Sequence, residues 1–212
     1  MERYTYRPLR FYITVFAVTW FFWLLAILCN ESSMLFLFMF FGLVTPAIVA
    51  VITVFASKNK ALKQDFKRKI VGFYRIKPRY IILAVGLFAI VVVASIGTSI
   101  LFGGSVNQFS FTEDFSFSIG GTSALLTILL ASSIEELGWR GYGEDAVGAY
   151  YNWFNESIIF GVIWACWHIP LFWVPGTYQY DLKEMGIIYV INFLLSVIPL
   201  DFLQTWVYVK NN

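Results

Sequence analysis

The chain has 212 residues, 59% of them hydrophobic and 13% charged, with a formal net charge of +2. A mean hydropathy of +0.71 excludes an ordinary soluble domain, in which about a quarter of the residues are charged. Two cysteines, both inside apolar runs, exclude a disulfide-built fold, and the small positive balance calls for no nucleic-acid partner.

The apolar residues gather into blocks at 11–29, 34–56, 80–102, 119–137, 157–174 and 186–209. Each approaches the ~20 residues that a helix needs to cross a hydrocarbon core. The pattern predicts an all-α, polytopic transmembrane bundle of about six helices, forming a single membrane domain over 1–212. Residues 1–118 form its scaffold and 119–212 its chemical part. The first run is too long for a signal peptide and lacks a small-residue cleavage site, so it is read as a retained helix. Pro46 is expected to kink the second helix. Gly86 and Gly97 are expected to let the third approach a neighbour closely, and Phe36, Phe38, Phe40 and Phe41 suit contact with lipid.

Charge sets the orientation. With the N-terminus in the cytoplasm and every run crossing, 14 of the 15 basic residues fall inside, leaving only Lys183 outside. That is the positive-inside rule in strong form, and it predicts a multi-pass cell-membrane protein. The basic stretch Lys58–Arg79 interleaves charges with Phe66, Ile70, Val71, Phe73, Tyr74 and Ile76. Such a pattern suits a segment lying on an anionic inner leaflet, and a solvated cytoplasmic loop is the plainer reading.

The fourth run ends in Glu135-Glu136-Leu137-Gly138-Trp139-Arg140. An acid at the centre of a membrane helix costs roughly 2.5 to 3.5 kcal/mol, so two adjacent ones require a reason. On a helix Glu136 and Arg140 share a face and can pair, whereas Glu135 lies about 100° away. Glu135 is thereby available as a general base. The following stretch, 137–156, is rich in glycine, aromatics and charge, and predicts broken backbone around a wet cavity. The sole histidine, His168, sits two residues before Pro170 in the next run, with Trp164 one turn earlier to pack on its ring. The plainer readings are a membrane anchor for Arg140, a structural Glu136–Arg140 pair, and an interhelical hydrogen bond for His168.

Three chemistries can be compared. Zinc wants three or four protein ligands, and Arg140 beside the carboxylates opposes a dication. A Ser–His dyad through Ser132 or Ser133 lacks a nucleophile turn. Water activated by a glutamate, with histidine polarising the carbonyl, uses all of these residues and needs no metal or other cofactor.

Glu135-Glu136-x-x-x-Arg140 followed by Trp164-x-x-x-His168 resembles the CAAX-protease and bacteriocin-processing (abortive-infection-like) intramembrane proteases. There the first motif is Glu-Glu-x-x-x-Arg and the second is Phe-x-x-x-His, with Trp164 standing here for the Phe. The resemblance covers about 119–209. It implies an intramembrane endopeptidase with Glu135 as water-activating base, Glu136 and Arg140 as its support, and His168 in the substrate-polarising or oxyanion site. It also implies peptide or membrane-protein substrates, with roles ranging from CAAX processing to bacteriocin self-immunity and peptide maturation. The family's third motif, His-x-x-x-Asn or His-x-x-x-Asp on a later helix, is absent, and the expectation is a chain truncated before it, an endopeptidase whose activity in this form is left open. A non-catalytic membrane immunity or interaction protein is the alternative. Asp201, an acid within the last apolar run, is left outside the catalytic set.

Overall fold

In the computed structural model, residues 4–29, 31–72, 77–109 and 124–211 are described. The long helices are α1 (Pro8–Leu28), α2 (Ser32–Ala56), α4 (Pro78–Leu101), α7 (Trp153–Trp167) and α9 (Ile187–Asn211). Between them lie α3 (Lys60–Val71), α5 (Ala124–Gly138), α6 (Glu144–Gly148) and α8 (Tyr178–Met185). Among the described residues, five helices are long and apolar enough to cross a membrane: 8–28, 33–56, 78–101, 153–173 and 187–210. The sixth expected span is represented by α5, and its expected start at 119–123 lies outside the described residues. The all-α polytopic bundle is borne out.

Small residues and indoles join the scaffold helices. Gly42 sits against Trp23, where an added Cβ would lie 2.1 Å from the indole nitrogen. Thr19 donates to the Gly42 carbonyl and Trp23 to that of Met39, each at 3.2 Å. Gly138 packs on the backbone at Pro46, leaving only 2.4 Å for a Cβ. This contact holds α5 on α2, so the proline helix is part of the site's frame. Gly161 faces Ile198 and brings α7 onto α9. Trp139, Trp167, Tyr142 and Phe160 are almost fully buried at the centre.

Three expectations are corrected. Gly86 and Gly97 have open space around them, and α4 has no buried residue; its large apolar side chains face outward, as lipid contact requires. The stretch after Glu136 stays helical as far as Gly148, with Gly138, Gly143 and Glu144 all keeping right-handed helical dihedrals, and breaks only at 149–152, before α7. Within it the helix widens into a π turn, Trp139–Gly143, and continues as α6. Finally, α3 does not turn all its apolar residues to a membrane surface. Leu62 and Phe66 are buried in the protein, with Phe66 pressed on Gly141 of the π turn, whereas Ile70 and Val71 remain exposed. Phe73, Tyr74 and Ile76 lie outside the described residues.

Candidate active site

Glu135 lies on the last full turn of α5. Its Oε1 accepts from two indoles: Trp139 Nε1, one turn onward, at 3.2 Å, and Trp164 Nε1, from α7, at 2.5 Å. Both donors aim at one oxygen, and Oε2 carries no hydrogen bond among the described residues. No cation pairs with this carboxylate there. Two rigid N–H donors therefore fix the carboxylate's orientation and leave its second oxygen without a hydrogen bond among the described residues.

Glu136 takes the other path. Its Oε2 lies 3.0 Å from Arg140 Nε, as the four-residue spacing predicts. Arg140 does far more than neutralise it. Nη1 lies 3.1 Å from Glu144 Oε2, and Nη2 bonds Asp201 Oδ1 at 2.6 Å and also Gln204. The guanidinium plane rests over Phe160, 4.9 Å from the ring centre. Thr205 donates to Glu144 Oε1 at 2.8 Å. One planar fork thus ties α5, α6 and α9 together, a task suited to arginine and beyond a lysine ammonium.

The π turn makes this arrangement possible. Widening the helix at Trp139–Gly143 disturbs its ladder, and π turns recur at functional sites for that reason. Tyr12 of α1 donates to the Gly143 carbonyl at 2.8 Å, satisfying that group from outside. A Cβ at Gly141 would lie only 2.6 Å from the Phe66 ring, whereas one at Gly143 would crowd Phe11 and Tyr12 at 3.2 and 3.3 Å.

His168 caps the C-terminus of α7, immediately before the 3-10 turn Ile169–Trp173 that accommodates Pro170. Its Nδ1 lies 2.8 Å from the Trp164 carbonyl. A carbonyl can only accept, so Nδ1 carries the proton and Nε2 is the nitrogen left to act. The ring sits among those of Trp164, Trp167 and Phe193. Trp164 is the joint between the two halves: its indole holds Glu135, and its carbonyl holds His168.

Glu135 and His168 are thus joined through Trp164, while Glu136 and Arg140 belong to a separate network with Glu144 and Asp201. The two sets meet where Glu135 and Glu136 adjoin in the chain. The Ser–His alternative is not formed, since Ser133 is exposed and donates to the Leu129 carbonyl at 2.6 Å. Sequence reasoning missed the indoles as donors and missed Glu144, Gln204 and Thr205. Asp201, set aside earlier, is fully buried on Arg140. An acid inside an apolar run was the available signal for it.

Residues 117–212 match the family described as Type II CAAX prenyl endopeptidase Rce1-like. The chain is also 38% identical over 215 aligned positions to CAAX prenyl protease 2 of Methanococcus maripaludis. That alignment covers all of this chain and 79% of the relative. The resemblance carried by the two short motifs is therefore matched along the whole length, and the chain belongs to the Rce1-like CAAX prenyl protease family of membrane endopeptidases.

Proposed function

We propose that this protein hydrolyses a peptide bond beside the membrane with Glu135 as general base. The observation that carries the reading is the convergence of two indole donors on Glu135 Oε1, which turns the other oxygen toward a water. Glu135 takes a proton from that water as its oxygen bonds the carbonyl carbon. The same proton passes to the leaving nitrogen as the C–N bond breaks, so one water is consumed per bond cleaved and the carboxylate is restored. His168 complements this. Its Nδ1–H is held by Trp164, so Nε2 keeps a lone pair toward the reactants and accepts from the attacking water or the substrate N–H, orienting them. The oxyanion role that the resemblance implies would need that nitrogen protonated.

Glu136 and Arg140 act as support, keeping the end of α5 against α6 and α9. The mechanism calls for no metal: among the described residues no group of three or more His, Cys, Asp or Glu suits an ion, and Arg140 opposes a dication at these carboxylates. The distribution of basic residues supports a cytoplasmic N-terminus in the cell membrane, with the site approached from that side. By likeness to the relative's name, the substrate is a membrane-anchored protein cut near a CAAX C-terminus. The test is Glu135→Gln in the full-length protein in vesicles, given a prenylated CAAX peptide. Cleavage should fall by about 10²-fold or more with the melting temperature kept, and full cleavage by that variant would overturn the proposal.

A further inference from the structure

The cavity that opens beside the acid network leads to a second site. It holds about 800 Å³ and is bounded by the N-terminal segment, α3, α6, the start of α7 and the end of α9. Neither Glu135 nor His168 lines it. Its wall carries the carboxylates of Asp65, Glu144, Asp145 and Glu156 and the phenol rings of Tyr6, Tyr151 and Tyr208.

Among the described residues, the two cations that pair with the acids at this end of the bundle are already committed. Lys69 is committed to Asp145 and to Asp65, the latter at 3.2 Å. Arg140 is committed to Glu136, Glu144 and Asp201. Glu156 joins neither set among the described residues. It is 3% exposed, and its Oε1 is shut from water without a hydrogen-bond partner. Glu144, Asp201 and Asp145 act on it with like charge, opposed by Arg140. A buried carboxylate oxygen without a partner is rare and costly. The first turn of α7, where the helix dipole favours an acid, offsets part of that cost and supplies no donor to Oε1.

We infer that this cavity is a binding site for a cationic side chain, a lysine ammonium or arginine guanidinium, carried by the peptide that the protease cleaves. Glu156 supplies the unpaired carboxylate, and the tyrosine rings supply the faces on which a desolvated cation rests. Glu144 connects the site to the proposed catalytic machinery: it lines the cavity and also holds Arg140, which holds the neighbour of Glu135. The inference rests on the peptidase reading for the identity of the ligand and on the cavity alone for its charge.

The two can be tested apart. Fluorescently labelled, lipid-anchored peptides are prepared as pairs, identical except for one Lys or one norleucine, with that position moved along the chain. Binding is measured to the Glu135→Gln protein, which removes cleavage from the readout. At one position the lysine peptide should bind about tenfold more tightly, as a charge-assisted bond to a buried acid allows. Adding Glu156→Gln should erase that difference. Equal binding of every pair to Glu135→Gln, or a preference that survives Glu156→Gln, would overturn the proposal. Tyr151→Ala, at a half-exposed wall position, should weaken lysine binding selectively and carries the test if Glu156→Gln fails to fold. Binding that follows this pattern while the unmodified protein cuts none of the peptides would uphold the cation site and refute the peptidase reading.

Discussion

Replacing Arg140 with leucine tests the central electrostatic argument. The guanidinium is bonded to three carboxylates, and its own side chain is 16% exposed. The three acids differ in their access to water. Asp201 is 0% exposed and Glu144 4%, while Glu136 is 32% exposed. Once the cation is gone, Glu136 can turn toward solvent, but Asp201 and Glu144 cannot. Breaking a buried pair from one side costs about 3 to 5 kcal/mol, because the stranded charge remains. For a chain of this size that corresponds to a fall of roughly 6 to 20 °C in melting temperature. The measurement is thermal unfolding in detergent, followed by tryptophan fluorescence. A second substitution separates lost charge from lost packing on Phe160. Asp201→Asn in the Arg140→Leu background removes one stranded charge and should restore about half the loss, whereas alone it should change stability little. A drop below about 3 °C for Arg140→Leu, or no rescue by Asp201→Asn, would refute the view that Arg140 holds these acids in place.

Trp164→Phe retains an aromatic ring and removes the 2.5 Å donor to Glu135. Losing a charge-assisted bond of about 1.5 to 3 kcal/mol should lower kcat by roughly 10- to 100-fold with little change in melting temperature, and unchanged kcat would mean that the indole does not position the base. Thr205→Val preserves shape and deletes the hydroxyl on Glu144; denaturant unfolding should report a loss of about 1 to 3 kcal/mol. Gly138→Ala places a Cβ against the backbone at Pro46, which cannot yield as a side chain would, and should depress folded yield and melting temperature. Gly86→Ala meets open space and should gain up to about 1 kcal/mol through helix propensity, so equal effects of the two would undo the packing assignment.

The helices were legible because a membrane helix announces itself by length and apolarity alone, and the Glu136–Arg140 pair was legible because both partners lie on one helix four residues apart. Packing between helices was less so. Gly86 and Gly97 look like contact residues in sequence, yet α4 lies outside the described core, and Gly138, in the polar part of the chain, makes the close approach to Pro46. A glycine in a helix reports that contact is allowed; only the neighbours decide whether it occurs. Trp164 was visible as a ring beside His168, and its indole N–H on Glu135 was not, since that bond joins helices 29 residues apart in sequence.

The π turn explains why the region after Glu136 was misread and why it matters. Glycine, tryptophan and charge in succession suggest irregular backbone, and in a membrane irregular backbone must find new partners. Here the chain remains helical and widens over five residues, with Tyr12 supplying a donor to Gly143. The widened turn carries Arg140 itself, with Glu136 before it and Glu144 after it, each four residues away, the first hydrogen-bonded to it and the second ion-paired. Asp201 then approaches from α9 and meets the remaining face of the guanidinium. Glu135, displaced around the helix, escapes this network and is met by indoles instead. Adjacent acids therefore reach different environments, one salt-bridged and one held by neutral donors, and the proposed roles of support and base rest on this division.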